Sequence, residues 1–368
     1  MPTRSSTPAA FVVALGQKID LAAYRAEIDN GDRPRHVLLE LAERTGGRAV
    51  STSGLKLTVT DRLMGKIVGR DTSWQIAWHV RADARRGFVY GNAEAIGFAL
   101  LLVSLFRPSR ARMIGFNVMT PRGARVRWWL RLIRLLHLAP VITVETERKA
   151  EVLRPMVGPA CASRMVTLLT PVDTDFFTPG SAAPTHATLV ASAGKEHRDY
   201  ATLAAAVDGL DVDVEVCAVS PDAAGSSTAM PTIVPDRMSF VDLDMRSLRD
   251  LYRRATVVAV PTSENQIDAG FTSVLEAMAC ARPVIVTAQG AQEALSAANV
   301  VRSVPIADTA GLRNAVTSLV DDQVAAATMG ERAREHVIRV HGTDRWLDDM
   351  SAHLRRCEVL GAGQVSSG

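Results

Sequence analysis

Aromatic residues make up only 5% of the 368, and cysteine is rarer still: Cys161, Cys217, Cys280 and Cys357 are the four in the chain. The cysteines fall at no metal-ligand spacing, which argues against a zinc module, and they read as reduced thiols of a cytosolic protein. A charge excess is also lacking. The net charge of +3 implies no nucleic-acid partner. No hydrophobic run is long: residues 96–106 form the longest, too short to span a bilayer, and it ends at Arg107 and Pro108. Residues 1–9 are small and polar rather than basic then apolar, so no signal peptide is expected. No G-x-G-x-x-G follows the candidate strands at Phe11 or Ala187, which argues against a dehydrogenase. No cluster of metal ligands is visible. A soluble cytoplasmic protein is expected, with contact at the inner face of a membrane as an open option.

What is present is 47% hydrophobic sequence, enough for two ordinary cores over this length. The most informative stretch is 261–287. Before it, residues 255–260 are apolar and read as a buried parallel strand. A polar loop, 262–271, follows. An alanine-rich segment of high helix propensity spans 273–281. Pro283 stops that helix and opens a second apolar strand at 284–286. This is a βαβ unit, and such units bind ligands at the carboxyl ends of their strands, against the first turn of the helix. Asp268 and Glu276 flank the loop and helix start, with seven residues between them.

The run from Glu276 through Ala277, Met278, Ala279, Cys280, Ala281, Arg282 and Pro283 to Val284 resembles the acidic motif of retaining GT-B glycosyltransferases, the family 4-like group (group 1). Two further stretches carry the resemblance. Val172, Asp173, Thr174, Asp175, Phe176 and Phe177 look like the family's interdomain segment. Gly194, Lys195 and Arg198 look like its diphosphate loop. The sequence departs from the pattern in having Asp268 for the usual Glu, Ala281 for Gly and Lys195 for Arg, and it lacks the His often found near Asn117. Glu264 is a rival for the first acid.

The resemblance implies two doubly wound α/β domains facing across a cleft. Their expected bounds are 1–179 and 180–343, with a helix at 344–358 crossing back and a disordered tail at 359–368. It implies transfer of a sugar from a nucleotide-sugar, a UDP- or GDP-sugar, with retention and with no cofactor or metal. The donor nucleotide would be held by Gly194, Lys195, Arg198, Thr272, Ser273 and Glu276. The donor sugar would meet Asp268, Gly270 and Phe271. Asp268, Lys195 and Arg198 would act at the reacting bond. Gly31 and Asn117 would lie on the acceptor side; the acceptor is unidentified, with lipid-linked acceptors among the candidates. A catalytically weak scaffold that only binds nucleotide, or an epimerase of the same shape, stands as the alternative. A glycosidase is disfavoured, since it would need two carboxylates flanking the bond and no phosphate loop.

Along the rest of the chain, strands are expected at 11–15, 73–80, 88–90, 112–116, 140–144, 164–169, 187–191, 212–219, 232–234 and 300–304. Helices are expected at 36–45, 93–106, from 145, from 199, at 242–254, 290–298 and 308–320, and from 322. Residues 1–8 should fray, and 178–185 reads as a linker. The segment 123–137 carries Arg125, Arg127, Arg131 and Arg134 beside Trp128 and Trp129. Val126, Trp129, Leu130, Ile133 and His137 fall on one helical face. It is either a membrane-surface helix or a core helix with a solvated basic face. The second is preferred, because one face must pack on a sheet in either case.

Overall fold

The computed structural model describes residues 11–104, 108–119, 123–180, 188–218, 228–265 and 267–359. The expectations for residues 1–8, 181–185 and 360–368 lie outside them. Contacts divide the chain into two compact units. One comprises residues up to Asp29, Arg35–Leu169 and Trp346 onward. The other comprises Asn30–Pro34 and Thr170–Arg345.

The first unit is built on β1 (Phe11–Ala14), β2 (Arg48–Val50), β3 (Phe88–Gly91), β4 (Ile114–Asn117), β5 (Val141–Val144) and β6 (Met165–Thr167). All are parallel, in the order β2-β1-β3-β4-β5-β6. The second is built on β7 (Leu189–Ala193), β8 (Asp213–Cys217), β9 (Met238–Val241), β10 (Val257–Val260), β11 (Val284–Thr287) and β12 (Arg302–Val304). These too are parallel, in the order β12-β11-β10-β7-β8-β9. Both sheets are α/β and doubly wound, as expected.

Continuous apolar strands suit such sheets because both faces are covered by helices. In β1, Val12 and Ala14 enter one apolar cluster while Phe11 and Val13 enter another. In β10, Val258 and Val260 face one cluster, and Val257 and Ala259 the other. In the second sheet the winding reverses between β7 and β10. A doubly wound sheet opens its ligand crevice there, at the carboxyl ends of the two strands.

From Trp346 on, the helix Thr343–Arg356 groups with the first unit. Its Leu347, Met350 and Leu354 join the cluster of Phe11 and Leu41. His353 Nε2 lies 3.1 Å from the carbonyl of Arg164, whose guanidinium donates to the carbonyl of Cys357 at 2.8 Å.

Several local expectations need correction. Residues 73–80 are not a strand: the helix Asp71–His79 occupies them. The near-alternation of Ser73, Trp74, Gln75 and Ile76 mimics a strand, yet Ser73 and Gln75 are buried with their apolar neighbours, and tertiary packing overrides the pattern. Residues 232–234 are not a strand either. Ile233 and Val234 are exposed, and the sheet instead pairs Val214 with Met238. The helices Leu21–Asp29 and Val59–Val68 have no counterpart in the sequence reading. In the helix Ala124–Leu135, Val126, Trp129, Leu130 and Ile133 are buried as expected. His137 is not: it is exposed and left-handed, φ 49°, just past the helix end.

Helix Glu94–Val103 lies so close to β4 that a Cβ at Gly97 would overlap the ring of Phe116. In an ordinary helix, Gly→Ala stabilises by roughly 0.5–1 kcal/mol. Here Gly97→Ala should instead destabilise the first unit, by about 1–3 kcal/mol of overpacking. Urea unfolding followed by tryptophan fluorescence reports it, since Trp129 stacks on Phe98 beside Phe116 at 5.2 Å. A raised midpoint would mean the helix does not need glycine there.

Candidate functional site

Three loops follow strands β7, β10 and β11 at the reversal of the second sheet. The first, Gly194 to Arg198, is tied to the second through paired backbones: Ser263 N–H donates to the carbonyl of His197 and Asp199 N–H to that of Pro261. The second is tied to the third by side chains. Gln289 Nε2 donates to Thr262 Oγ1 at 2.6 Å and to the Ser263 carbonyl at 3.0 Å, and Gln292 Nε2 donates to the Ala269 carbonyl at 2.9 Å.

At the centre sits the guanidinium of Arg198, 4% exposed. Its Nε donates to the Ala193 carbonyl at 2.8 Å, Nη1 to the Glu196 carbonyl at 2.7 Å, and Nη2 to Ser273 Oγ at 3.2 Å. Among the described residues these use three of its five N–H groups. Burial pulls its pKa below the usual arginine value. Gly194 makes room for it: a Cβ there, φ 103°, would overlap the guanidinium. At Gly270, φ 89°, a Cβ would crowd Val260 at 3.0 Å and Thr262 at 3.2 Å and only touch Nη1 at 3.4 Å.

Gly270 is also the N-cap of the helix Phe271–Ala279 and offers no side chain to its first turn. A helix start left open in this way suits an anion, which its N–H groups and dipole both favour. Ser273 and Glu276 stand three residues apart on this helix and so share a face. Both are buried. Tyr252, wholly buried, donates from its hydroxyl to Glu276 Oε2 at 3.0 Å. Burial pushes the Glu276 carboxyl up to about 7, against the opposing pull of the Tyr252 hydroxyl and of Arg198. Tyr252 is itself raised well above its ordinary value, first by burial and then by the neighbouring Glu276.

The structure therefore brings together Gly194, Arg198, Gly270, Ser273 and Glu276. Other expected residues sit differently. Lys195 and Thr272 are exposed. Phe271 turns into the apolar core, edge-on to His341 at 5.6 Å. Asp268 is half-buried and left-handed, φ 54°, and its Oδ1 accepts from the Ala291 N–H at 2.9 Å, anchoring the second loop to the third. Its rival Glu264 is exposed.

Gly31, φ 71°, belongs to the segment Asn30–Pro34 that groups with the second unit, where Asp32 pairs with Arg246 at 3.1 Å. Its place in the sequence had suggested the first. Asn117 ends β4 in the first unit, donating to Glu145 and accepting from Thr143 Oγ1 at 3.2 Å. Tyr252, Gln289 and Gln292 were not singled out from sequence. A tyrosine on a helix and glutamines in a loop carry no motif of their own; only the fold brings them to the site. Among the described residues, no group of three or more His, Cys, Asp or Glu is gathered to hold a metal ion, and no helix is long and apolar enough to cross a membrane.

Residues 199–322 match the family model of glycosyl transferases group 1. The match takes in Tyr252, Asp268, Ser273 and Glu276 and stops one residue short of Arg198. It spans 124 of the 368 residues. The chain is similar in fold to sucrose-phosphate synthase from Thermosynechococcus elongatus, with a TM-score of 0.67 at 15% identity over 94% of this chain and 98% of that one. It is similar to the Anabaena protein HepE in complex with UDP and glucose, with a TM-score of 0.63 at 11% identity over 94% and 99%. It is also similar to the trehalose 6-phosphate synthase of Burkholderia multivorans, with a TM-score of 0.65 at 13% identity over 96% and 99%. Identities this low show the fold alone, which is GT-B. No curated protein is a significant match.

A carboxyl whose folded pKa is raised binds its proton more tightly when folded. Stability then falls as pH rises from the unfolded value, near 4.5, through the folded value of about 7. The penalty above pH 7 is on the order of 3 kcal/mol. Glu276→Gln should therefore unfold at higher denaturant than the parent at pH 8 and show little gain at pH 4.5. Equal shifts at both pH values would mean that Glu276 does not titrate as a buried acid.

Proposed function

We propose that this chain is a glycosyltransferase, moving a sugar from a nucleoside-diphosphate donor to an acceptor hydroxyl with retention of configuration. The observation that carries the proposal is a buried, destabilising carboxyl, Glu276, set beside the buried Arg198 and an open helix start at the sheet reversal. A fold keeps such a costly group where a ligand uses it. The group 1 match, which covers Glu276 and the helix start, supports the reading, as does the fold shared with HepE, described in complex with UDP and glucose, and with sugar-phosphate synthases.

In this proposal Glu276 accepts from the two ribose hydroxyls, which a carboxylate can do at once. Ser273, Thr272 and the helix start meet the diphosphate. The bond between the anomeric carbon and the phosphate oxygen breaks, the acceptor oxygen takes its place, and the acceptor's proton leaves with the diphosphate. Negative charge grows on that leaving oxygen. Lys195 and Arg198 stabilise it, Lys195 as a mobile point charge and Arg198 as a fixed one. Asp268, Gly270 and Phe271 shape the sugar pocket, Phe271 from behind. The donor is a UDP- or GDP-sugar, and the reaction needs no metal. The same reading places the enzyme in the cytoplasm, in keeping with four free, buried thiols. A nucleotide-binding scaffold is the second reading, favoured by the commitment of Asp268 to the Ala291 N–H.

Glu276→Gln should weaken UDP or GDP binding by roughly 10- to 100-fold, the loss of a charged hydrogen-bond partner. Calorimetry measures it, and unchanged affinity would remove Glu276 from the site. Asp268→Asn should slow transfer while leaving nucleotide affinity nearly intact. If Glu264→Gln slows transfer and Asp268→Asn does not, Glu264 is the sugar-facing acid. If the parent binds nucleotide yet releases no diphosphate from any donor, the scaffold reading replaces transfer. Proton NMR of the first-formed product reads retention directly.

A further inference from the structure

Two helices of the first unit turn apolar side chains outward among cations. On the helix Val59–Val68, Val59 is 82% exposed, Leu63 62% and Ile67 47%. A spacing of four residues lines them up along one face. Lys56, Arg62, Lys66 and Arg70 are exposed beside them. The one carboxylate between residues 56 and 70, Asp61, is buried and occupied in a capping box with Thr58. On the helix Ala124–Leu135, Trp128 is 56% exposed and Leu135 73%. Arg125, Arg127, Arg131 and Arg134 are exposed around them, and this helix has no carboxylate. The two faces meet. The side chain of Arg125 lies over Gly69, the C-cap of the first helix, where an added Cβ would be 3.2 Å from its Nη1 and 3.7 Å from its Cδ.

We infer that these two helix faces form one docking surface for an anionic lipid bilayer. The exposed apolar side chains gain from a partner that takes them out of water, and that partner must suit aliphatic chains, an indole and the eight cations around them together. A second copy of this chain would set cations against cations. A bilayer with acidic headgroups accepts the cations at its surface and the apolar chains just beneath, which is how interfacial helices bind. Tryptophan is favoured at that boundary. Arginine and lysine reach the headgroups while their stems cover apolar surface. The basic helix alone suits a solvated face equally well. The stripe of Val59, Leu63 and Ile67 decides between the two, because solvent rewards the arginines but not the stripe.

The test is flotation of the full chain with vesicles of phosphatidylcholine, with and without phosphatidylglycerol. The parent should float with the anionic vesicles at low salt and not with the neutral ones. Replacing Arg125, Arg127 and Arg131 together by Gln should weaken binding on the order of 100-fold. The pair Leu63→Ser and Ile67→Ser, which leaves the charge unchanged, should weaken it at least tenfold. Circular dichroism confirms that these surface variants fold. A parent that stays at the bottom with anionic vesicles overturns the proposal. So does a serine pair that floats like the parent, since that is electrostatic adsorption alone. A concentration-dependent dimer in sedimentation that the serine pair dissolves would make the occupant a second copy and overturn the lipid. None of these residues lies in the candidate nucleotide site, so the outcome is independent of transfer activity.

Discussion

The guanidinium of Arg198 is buried, and much of the second unit's local geometry follows from keeping it so. A buried charge is costly unless its donors find acceptors. Here the acceptors are the carbonyl of Ala193 at the end of β7, that of Glu196 in its own loop and the hydroxyl of Ser273 on a helix that begins after another strand. One side chain thus fixes the loop after β7 to the helix after β10. The space it fills requires glycine at 194, while the left-handed backbone at 270, φ 89°, and the nearby Val260 and Thr262 favour a glycine that leaves the helix without a cap. The anion-seeking helix start thus lies beside the housed arginine, on the helix whose Ser273 accepts from it.

Glu276 stands against this background with the opposite character. Its helix buries nearly every side chain, and a leucine or methionine at 276 would be the stabilising choice. Arg198 and Tyr252 only partly offset the desolvation of its carboxyl, whose pKa remains near 7. Stability has been given up at one position, on a rigid element, at the place where the sheet topology opens a crevice. That coincidence of strain and place argues function more strongly than either residue type alone.

Much of this was legible in the sequence, for identifiable reasons. Most strands of both sheets are short apolar runs between turn residues, and Pro283 and the Gly194 loop punctuate two of them; β2 and β9, edge strands that begin with Arg48 and carry Ser239, had no such signal. The spacing that places Ser273 and Glu276 on one face survives any shift of the helix ends. What was not legible depends on partners distant in sequence. Residues 73–80 alternate like a strand, but 73–77 are buried on both phases of the alternation and the segment coils into a helix. Asp268 has the right spacing for a sugar-facing acid, yet its Oδ1 is turned to the Ala291 N–H. Phe271 has an aromatic's usual claim on a sugar, yet its ring faces His341 and the core. Tyr252 reaches Glu276 from a helix 24 residues away, a distance no local pattern encodes.

The chain also shows why an arginine's role cannot be read from its charge. Arg198 and Arg125 are both cations close to a helix start, the first just before its helix and the second within the first turn. The first is enclosed by backbone carbonyls, so its charge is fixed in direction and little screened, which suits a reaction that develops negative charge at one point. The second is exposed, screened within a Debye length of water, and effective only in number. A surface built from many such weak charges gains specificity from whatever non-ionic groups lie among them. On the first unit those groups are Val59, Leu63, Ile67, Trp128 and Leu135, and their exposure turns a generic basic face into one with a chemical preference. Burial, rather than sequence, separates the two uses of the same residue.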